Sequence, residues 1–307
     1  MNHTLTSASD LRLIQKQEFI ADLRDALGAK RGYAAGKLGA SQKFWMYYGL
    51  LARQGPGAGK LLKFYQKALL FHTYQQCGVF PPNAEFCLSF NAQFVEAVRE
   101  LDCLGLFLDQ VEIEKRLIRG YELPGKLTYF TNQEPDRSVP NRQEDCYLPL
   151  FRGKKILLIC PFAEFLRERA RPEVFESVWA KTGKPWFYPE KVEALEFPYG
   201  FSRQAQERYA TALDLLAELQ TKVQSYDFDL ALIGAAGLAI PLAAFIKSLG
   251  RVAIDLGGHL QILFGVHGKR WREQAEWRET YFNDAWTALP RCYWPERDDV
   301  CDQGAYW

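Results

Sequence analysis

The sequence predicts an α/β fold: a Rossmann-like, mostly parallel sheet flanked by helices, with an N-terminal portion of mixed helical and α/β character. Three observations predict it. Residues 227–271 read DFDLALIGAAGLAIPLAAFIKSLGRVAIDLGGHLQILFGVHGKRW. Two apolar runs, 228–233 and 252–256, are each followed by a glycine turn, at 234–237 and at Gly257 and Gly258. Between them Pro241 sits where a first helical turn tolerates it, and Gly250 where a helix stops. This is a βαβ unit whose glycine turns fall at the carboxyl ends of neighbouring strands, where open α/β sheets bind ligands. The second observation is KKILLIC at 154–160, two lysines and then a buried-strand run that opens another α/β set. The third is YAAGKL at 33–38, a short strand leading through Gly39 into an aromatic helix capped by Ser41.

Taken in order, Ser9 or Asp10 caps a helix that runs to about Leu27 and ends at Gly28. The strand at 33–38, the Gly39 turn and the following helix N-terminus make an anion site. Residues 55–60, GPGAGK, resemble a phosphate loop only superficially. The Walker pattern wants glycine where Gln54 stands and Ser or Thr where Leu61 stands, so this is a loop between helices. Residues 61–76 read as a helix in which His72 is a hydrogen-bonded core residue. Pro81 and Pro82 forbid helix continuation. A short helix at 91–101 and a strand at 104–108 follow, with Glu112 and Glu114 past the strand end. Another strand is expected at 126–130. Residues 131–147 are polar and proline-bearing and read as a linker. The chain thus divides into an N-terminal lobe, 1–147, and a C-terminal Rossmann-like lobe, 148–307, unless the two run together as one continuous domain. In the second lobe, 174–199 reads as a loop lining or covering a pocket, and 204–225 as one long amphipathic helix. A tryptophan-bearing helix follows Trp271 to about Trp286. The aromatic tail ending GAYW is expected to fold back over the body.

Composition narrows the function. The 307 residues carry 38 Lys and Arg against 37 Asp and Glu, a net charge of +1. This predicts no nucleic-acid footprint and at most peripheral membrane association. Seven cysteines without a CxxC pair, and only four histidines, predict no zinc site. Buried free thiols and an N-terminus without a secretion signal point to the cytoplasm. The sequence sets no oligomeric state.

Two chemistries compete for the central turns. For a dinucleotide fingerprint, Gly234, Ala236 and Ala239 stand at the three glycine positions, and Asp255 lies where a ribose-binding acid belongs. That reading makes the chain an NAD-dependent oxidoreductase. For a nucleotide sugar, the small residues from Gly234 to Gly237 let backbone approach nucleoside or phosphate. Gly257 and Gly258 place His259 beside a second exposed turn. Lys269, Arg270 and Trp271 then add two cations and a stacking surface for a diphosphate. The cations would stabilise the charge gathered by a leaving diphosphate. His259 reads either as a general base for an acceptor hydroxyl or as a structural hydrogen bonder.

The stretch LIGAAGLAIPLAAFIKSLGRVAIDLGG with LFGVHGKRW, together with AAGKLGASQ, CGVFP, CPFAEFL and GAYW elsewhere, resembles the GT-D-type glycosyltransferase-like proteins of bacterial surface-polysaccharide clusters. The resemblance implies a nucleotide-sugar donor as cosubstrate and a glycan or lipid-linked acceptor. In that family the first turn reads Arg-x-Gly-Asp-Gly-Glu, and its two acids hold a divalent metal. Lys37 and Gly39 match in kind, but Ala40 stands at the Asp position and Gln42 at the Glu position. A hard cation needs charged oxygen ligands, so the usual metal is in doubt here, with Lys37, Lys269 and Arg270 as substitutes. Glu164, in the segment matching the family's Pro-Phe-Ala-Glu, is the candidate to hold a sugar hydroxyl or act as base. Loss of both acids also admits a non-catalytic nucleotide-binding or scaffold protein of the same fold.

Overall fold

The computed structural model describes residues 11–53, 58–123, 125–135, 145–296 and 304–307. The expected Ser9 or Asp10 cap, the loop at 54–57, most of the expected linker and residues 297–303 of the tail lie outside these. One sheet of eight strands organises the chain: β1 (Leu13–Ile14), β2 (Tyr33–Lys37), β3 (Cys103–Leu106), β4 (Lys126–Tyr129), β5 (Lys155–Ile159), β6 (Lys191–Leu195), β7 (Leu230–Ile233) and β8 (Val252–Asp255). Their order is β1-β4-β3-β2-β8-β7-β5-β6, and every neighbouring pair is parallel. Residues 1–147 and 148–307 each supply four adjacent strands, and the halves meet where Tyr33 pairs with Val252.

Parallel sheets must be covered on both faces, and the strand alternation does this. Ile156, Leu158, Leu230, Leu232 and Ile254 pack into one core, against α1 (Lys16–Ala29) among others. Leu157, Ile159, Ala231, Ile233 and Ala253 pack into the other. That second core holds α2 (Ala40–Ala52), an α3 (Ala58–Leu70) that continues through a π turn at Phe71–Gln75, α4 (Ala84–Arg99) and α5 (Val111–Gly120). The helices that follow β2, β8, β7 and β5 leave on alternate faces, α2 going to the second core. After β5, α6 (Ala163–Arg169) and α7 (Pro172–Val178) go to the first core. A short helix, α8 (Arg203–Arg208), and a longer one, α9 (Ala212–Gln224), lead to β7, and α10 (Ala239–Ser248) after it goes to the second core. After β8, α11 (His259–Leu263) returns to the first. Divergent connections from adjacent strands open a crevice at their carboxyl ends.

The βαβ unit forms as its punctuation predicts, with Pro241 buried in the first turn of α10 and Gly250 at φ +77° beyond its end. The Gly237 turn is required by packing. A Cβ there would come within 2.7 Å of Val79 Cγ2 and 2.8 Å of the Cys77 carbonyl oxygen, to which the Gly237 amide donates at 3.0 Å. Gly237→Ala is therefore expected to destabilise the protein by about 1–3 kcal/mol through overpacking, read as a lowered denaturant midpoint.

Several elements differ from the sequence reading. Leu13 and Ile14 are a short edge strand paired with Leu127 and Thr128, so α1 starts at Lys16, and its C-cap is Lys30 rather than Gly28. Gly39, not Ser41, is the N-cap of α2. The fourth helix starts at Ala84, because the Asn83 side chain accepts from the Phe86 amide at 2.8 Å. The expected pocket loop at 174–199 contains part of α7 and the edge strand β6. The expected long helix at 204–225 is two, since Thr211 forms a capping box with Asp214 and restarts it. Beyond Gly268 stand α12 (Lys269–Arg272) and α13 (Ala275–Thr280), with β9 (Val266–His267) pairing β10 (Thr287–Ala288) beside them. Residues 304–307 do fold onto the body, with the Arg270 amide donating to Ala305 at 3.1 Å. No disulfide joins the described cysteines. No helix among the described residues is long and apolar enough to cross a membrane.

Candidate active site

The crevice is a cleft of about 510 Å³ over the carboxyl ends of β2, β8, β7 and β5. Its floor holds ionisable side chains that should not be buried unless paired. Lys37, the last residue of β2, donates from Nζ to Glu134 Oε1 at 3.0 Å, and that carboxylate is fully buried. His259 Nε2 lies 3.1 Å from the same oxygen. Asp255, the last residue of β8, is buried beside them and accepts from the Gly257 amide at 2.9 Å. Gly257 is at φ +53°, a left-handed turn that returns its amide to this carboxylate. Burial pushes the Asp255 carboxyl up to about 6, partly offset by the positive charge of Lys37 and by the Gly257 amide. A carboxylate poised near neutrality is matched to proton transfer.

The walls are aromatic. Phe107 and Phe130 stack at 3.9 Å on one side, and Tyr199 and Phe201 at 5.3 Å on another. The Arg270 guanidinium sits over Tyr306 at 4.9 Å and over Trp271 at 5.8 Å. Gln261 lies in the wall with its orientation set, because Nε2 donates to the carbonyls of Val266 (3.2 Å) and Tyr306 (3.1 Å). Its Oε1 is buried with no hydrogen-bond partner among the described residues. At the mouth Asp109 pairs with the buried Lys43, which Glu114 also meets at 3.2 Å. Glu114 accepts from the Phe107 and Leu108 amides at 3.1 and 3.2 Å. It therefore shapes the turn that carries Phe107. Glu112 is exposed on the same helix.

Of the residues singled out in the sequence, Lys37, Gly39, Gln42, Gly234, Asp255, Gly257, Gly258, His259, Arg270 and Trp271 all line this cleft. Trp271 is buried at 2 % exposure and meets His259 edge-on at 5.9 Å, so it is wall rather than an open stacking surface. Three others lie elsewhere. Gly237 packs against Val79. The exposed Lys269 touches the tail through its backbone amide, at 3.3 Å from the Trp307 carbonyl. Glu164 lines a separate open groove at the β6 edge and pairs with Arg167 at 2.6 Å. Neither Glu164 nor Lys269 is among the residues that line the cleft. His72 accepts or donates at Nδ1 with Ser41 Oγ at 3.1 Å, and burial lowers its pKa.

Glu134 is the residue that sequence reasoning missed. It lies in the stretch read as a linker, beyond the 3₁₀ turn Phe130–Gln133 that follows β4. Its signal was an acid just past a strand end, the same feature noticed at Glu112 and Glu114.

A metal held as the family resemblance describes does not fit this turn. Ala40 has no ligand atom, and Gln42 Oε1 accepts from the Gly39 amide at 2.7 Å. Among the described residues no group of three His, Cys, Asp or Glu side chains converges to hold a cation.

No family model matches the chain, and no curated protein matches it. Among solved structures it is similar to a highly conserved domain of unknown function 1792 described as having a distinct glycosyltransferase fold, at 14 % identity over 90 % of this chain and 93 % of that one, with a TM-score of 0.45. It is also similar to a new glycosyltransferase of the same domain from Streptococcus sanguinis, at 14 % identity over 91 % of this chain and 100 % of that one, with a TM-score of 0.45. At that distance no residue role is carried across.

Proposed function

We propose that the cleft binds a nucleotide-sugar donor and transfers its sugar to a hydroxyl of a glycan or lipid-linked acceptor. The observation that carries this reading is the buried set Lys37, Glu134, His259 and Asp255 on the floor of an aromatic-walled cleft that Arg270 rims. The aromatic faces suit a base and sugar rings. In the transfer, the acceptor oxygen bonds to the anomeric carbon and its proton passes to the Asp255 carboxylate. The bond from that carbon to the phosphate oxygen breaks, and its electron pair leaves with the nucleoside diphosphate. Lys37 and Arg270 are the cations available to offset the charge that develops there. Glu134 acts as a positioning residue, since one oxygen holds both Lys37 and His259. The contact of His259 with Glu134 favours a second assignment of the base, in which the carboxylate orients the ring. His259→Gln and Asp255→Asn separate the two, because only loss of the true base lowers kcat by about 10²–10⁴-fold.

The test is a thermal-shift screen against nucleoside diphosphates, nucleotide sugars and NAD(P), followed by assay of nucleoside diphosphate release. A ligand at a hundred times its Kd adds about 2.7 kcal/mol to the folded state. A shift with one nucleotide family, and diphosphate release on adding acceptor, is the expected result. Binding without release under any acceptor supports the non-catalytic nucleotide-binding reading instead. A shift with NAD alone supports the oxidoreductase.

A further inference from the structure

Between residues 26 and 84 the chain holds eight Lys and Arg and no Asp or Glu, although its totals balance at 38 against 37. Two of these cations, Lys37 and Lys43, are buried against acids from later in the sequence. The surface consequence falls on α3, where residues 63–67, KFYQK, are all exposed. Phe64 is 80 % exposed and Phe71, one heptad on and so on the same face, is 44 % exposed. Leu69, on the opposite face, is buried. Tyr65 leans back on Tyr48 with their rings 5.8 Å apart. Lys63 and Lys67 flank Phe64, and neither forms an ion pair with a described residue. Two exposed phenylalanines with lysines beside them, in a chain segment without acids, are unfavourable in water and contribute little to the core.

We infer that this ridge is a docking surface for an anionic lipid bilayer. Phenylalanine rings on one face with lysines beside them are the pattern of a helix that lies in a membrane interface, with rings in the acyl boundary and ammonium groups at the head groups. Nucleic acid fits less well, since the centre of the ridge is apolar. The helix runs through the π turn at Phe71–Gln75 directly to Gln76, Cys77 and Gly78 on the cleft wall. A bilayer under the ridge is therefore close to the cleft. The inference does not depend on which reaction occurs there.

The experiment is co-sedimentation of the full chain with vesicles of phosphatidylcholine alone and of phosphatidylcholine mixed with phosphatidylglycerol, at low and high salt. Binding is expected to the mixed vesicles and to weaken with salt. Lys63→Gln with Lys67→Gln should lower partitioning by about 30-fold, and Phe64→Ser with Phe71→Ser by about tenfold or more. Both pairs are exposed, and unchanged melting temperatures would show that the variants fold. Absence of binding to mixed vesicles at low salt, or binding that neither variant weakens, overturns the inference. So does failure to bind together with a concentration-dependent dimer that the phenylalanine variant abolishes, which would assign the ridge to a second copy of the chain.

Discussion

Replacing Asp255 by asparagine is expected to abolish most activity while making the protein more stable at neutral pH. The two effects share one cause. In the folded protein the carboxyl holds its proton up to about 6, against an ordinary value of 3.8, because burial penalises the anion. Between these pH values the folded state binds more protons than the unfolded state, so stability falls as pH rises from about 4 to about 6 and is flat above. The difference between the two pKa values is worth about 3 kcal/mol at neutral pH. Asparagine keeps the size and removes the charge. The Asp255→Asn variant should thus melt higher than the parent at pH 7.5, and the advantage should vanish near pH 4. Loss of a general base lowers kcat by about 10²–10⁴-fold, and the parent's own activity should fall as pH drops through about 6. Melting curves and pH–rate profiles on both proteins check this. A variant equally active and no more stable would remove Asp255 from the proposed mechanism.

Glu134→Gln should have the opposite effect on stability. Lys37 and His259 both rest on one buried Glu134 oxygen, at 3.0 and 3.1 Å, on the floor of the cleft. Removing one partner of a buried pair leaves the other charge uncompensated, at a cost of about 3–5 kcal/mol. A merely structural role would end there. The positioning role predicts more, because Lys37 also acts on Asp255. With Glu134 neutral, the ammonium is no longer shared and a neighbouring anion is gone, so the Asp255 pKa moves down. The acidic limb of the pH–rate profile should then move below its position in the parent. Urea unfolding reads the first effect and the rate profile the second.

What could be read from the sequence was what local chemistry decides. Pro241, Gly250 and the paired turns at Gly234 and Gly257 punctuate an uninterrupted apolar pattern, and β7, α10 and β8 stand where they imply. Lys37, Gly39, Asp255, His259 and Arg270 were accessible for the same reason, as each sits at the end of a legible strand or turn. Elements made by pairing alone were not. Leu13 and Ile14 are a strand only because Leu127 and Thr128 lie beside them. Lys191–Leu195 alternates charge with apolar residues at an edge, which conceals it within an aromatic stretch. The role of Glu134 was hidden for a deeper reason than its place past a strand end: its partners are 97 residues before it, at Lys37, and well after it, at His259. Glu164 shows the converse, an acid in a family-like segment that its own helix turns toward Arg167.

The position of β8 also dictates how the molecule is made. It is the last strand of the large sheet in chain order, yet it lies inside the sheet between β2 and β7. A chain emerging from the ribosome can therefore zip β1 through β4 together, and later β5 through β7, but each block keeps an open inner edge until β8 arrives. Lys37 and Glu134 wait at one such edge for Asp255 and His259. The cleft can therefore be completed only once β8 has joined the two blocks.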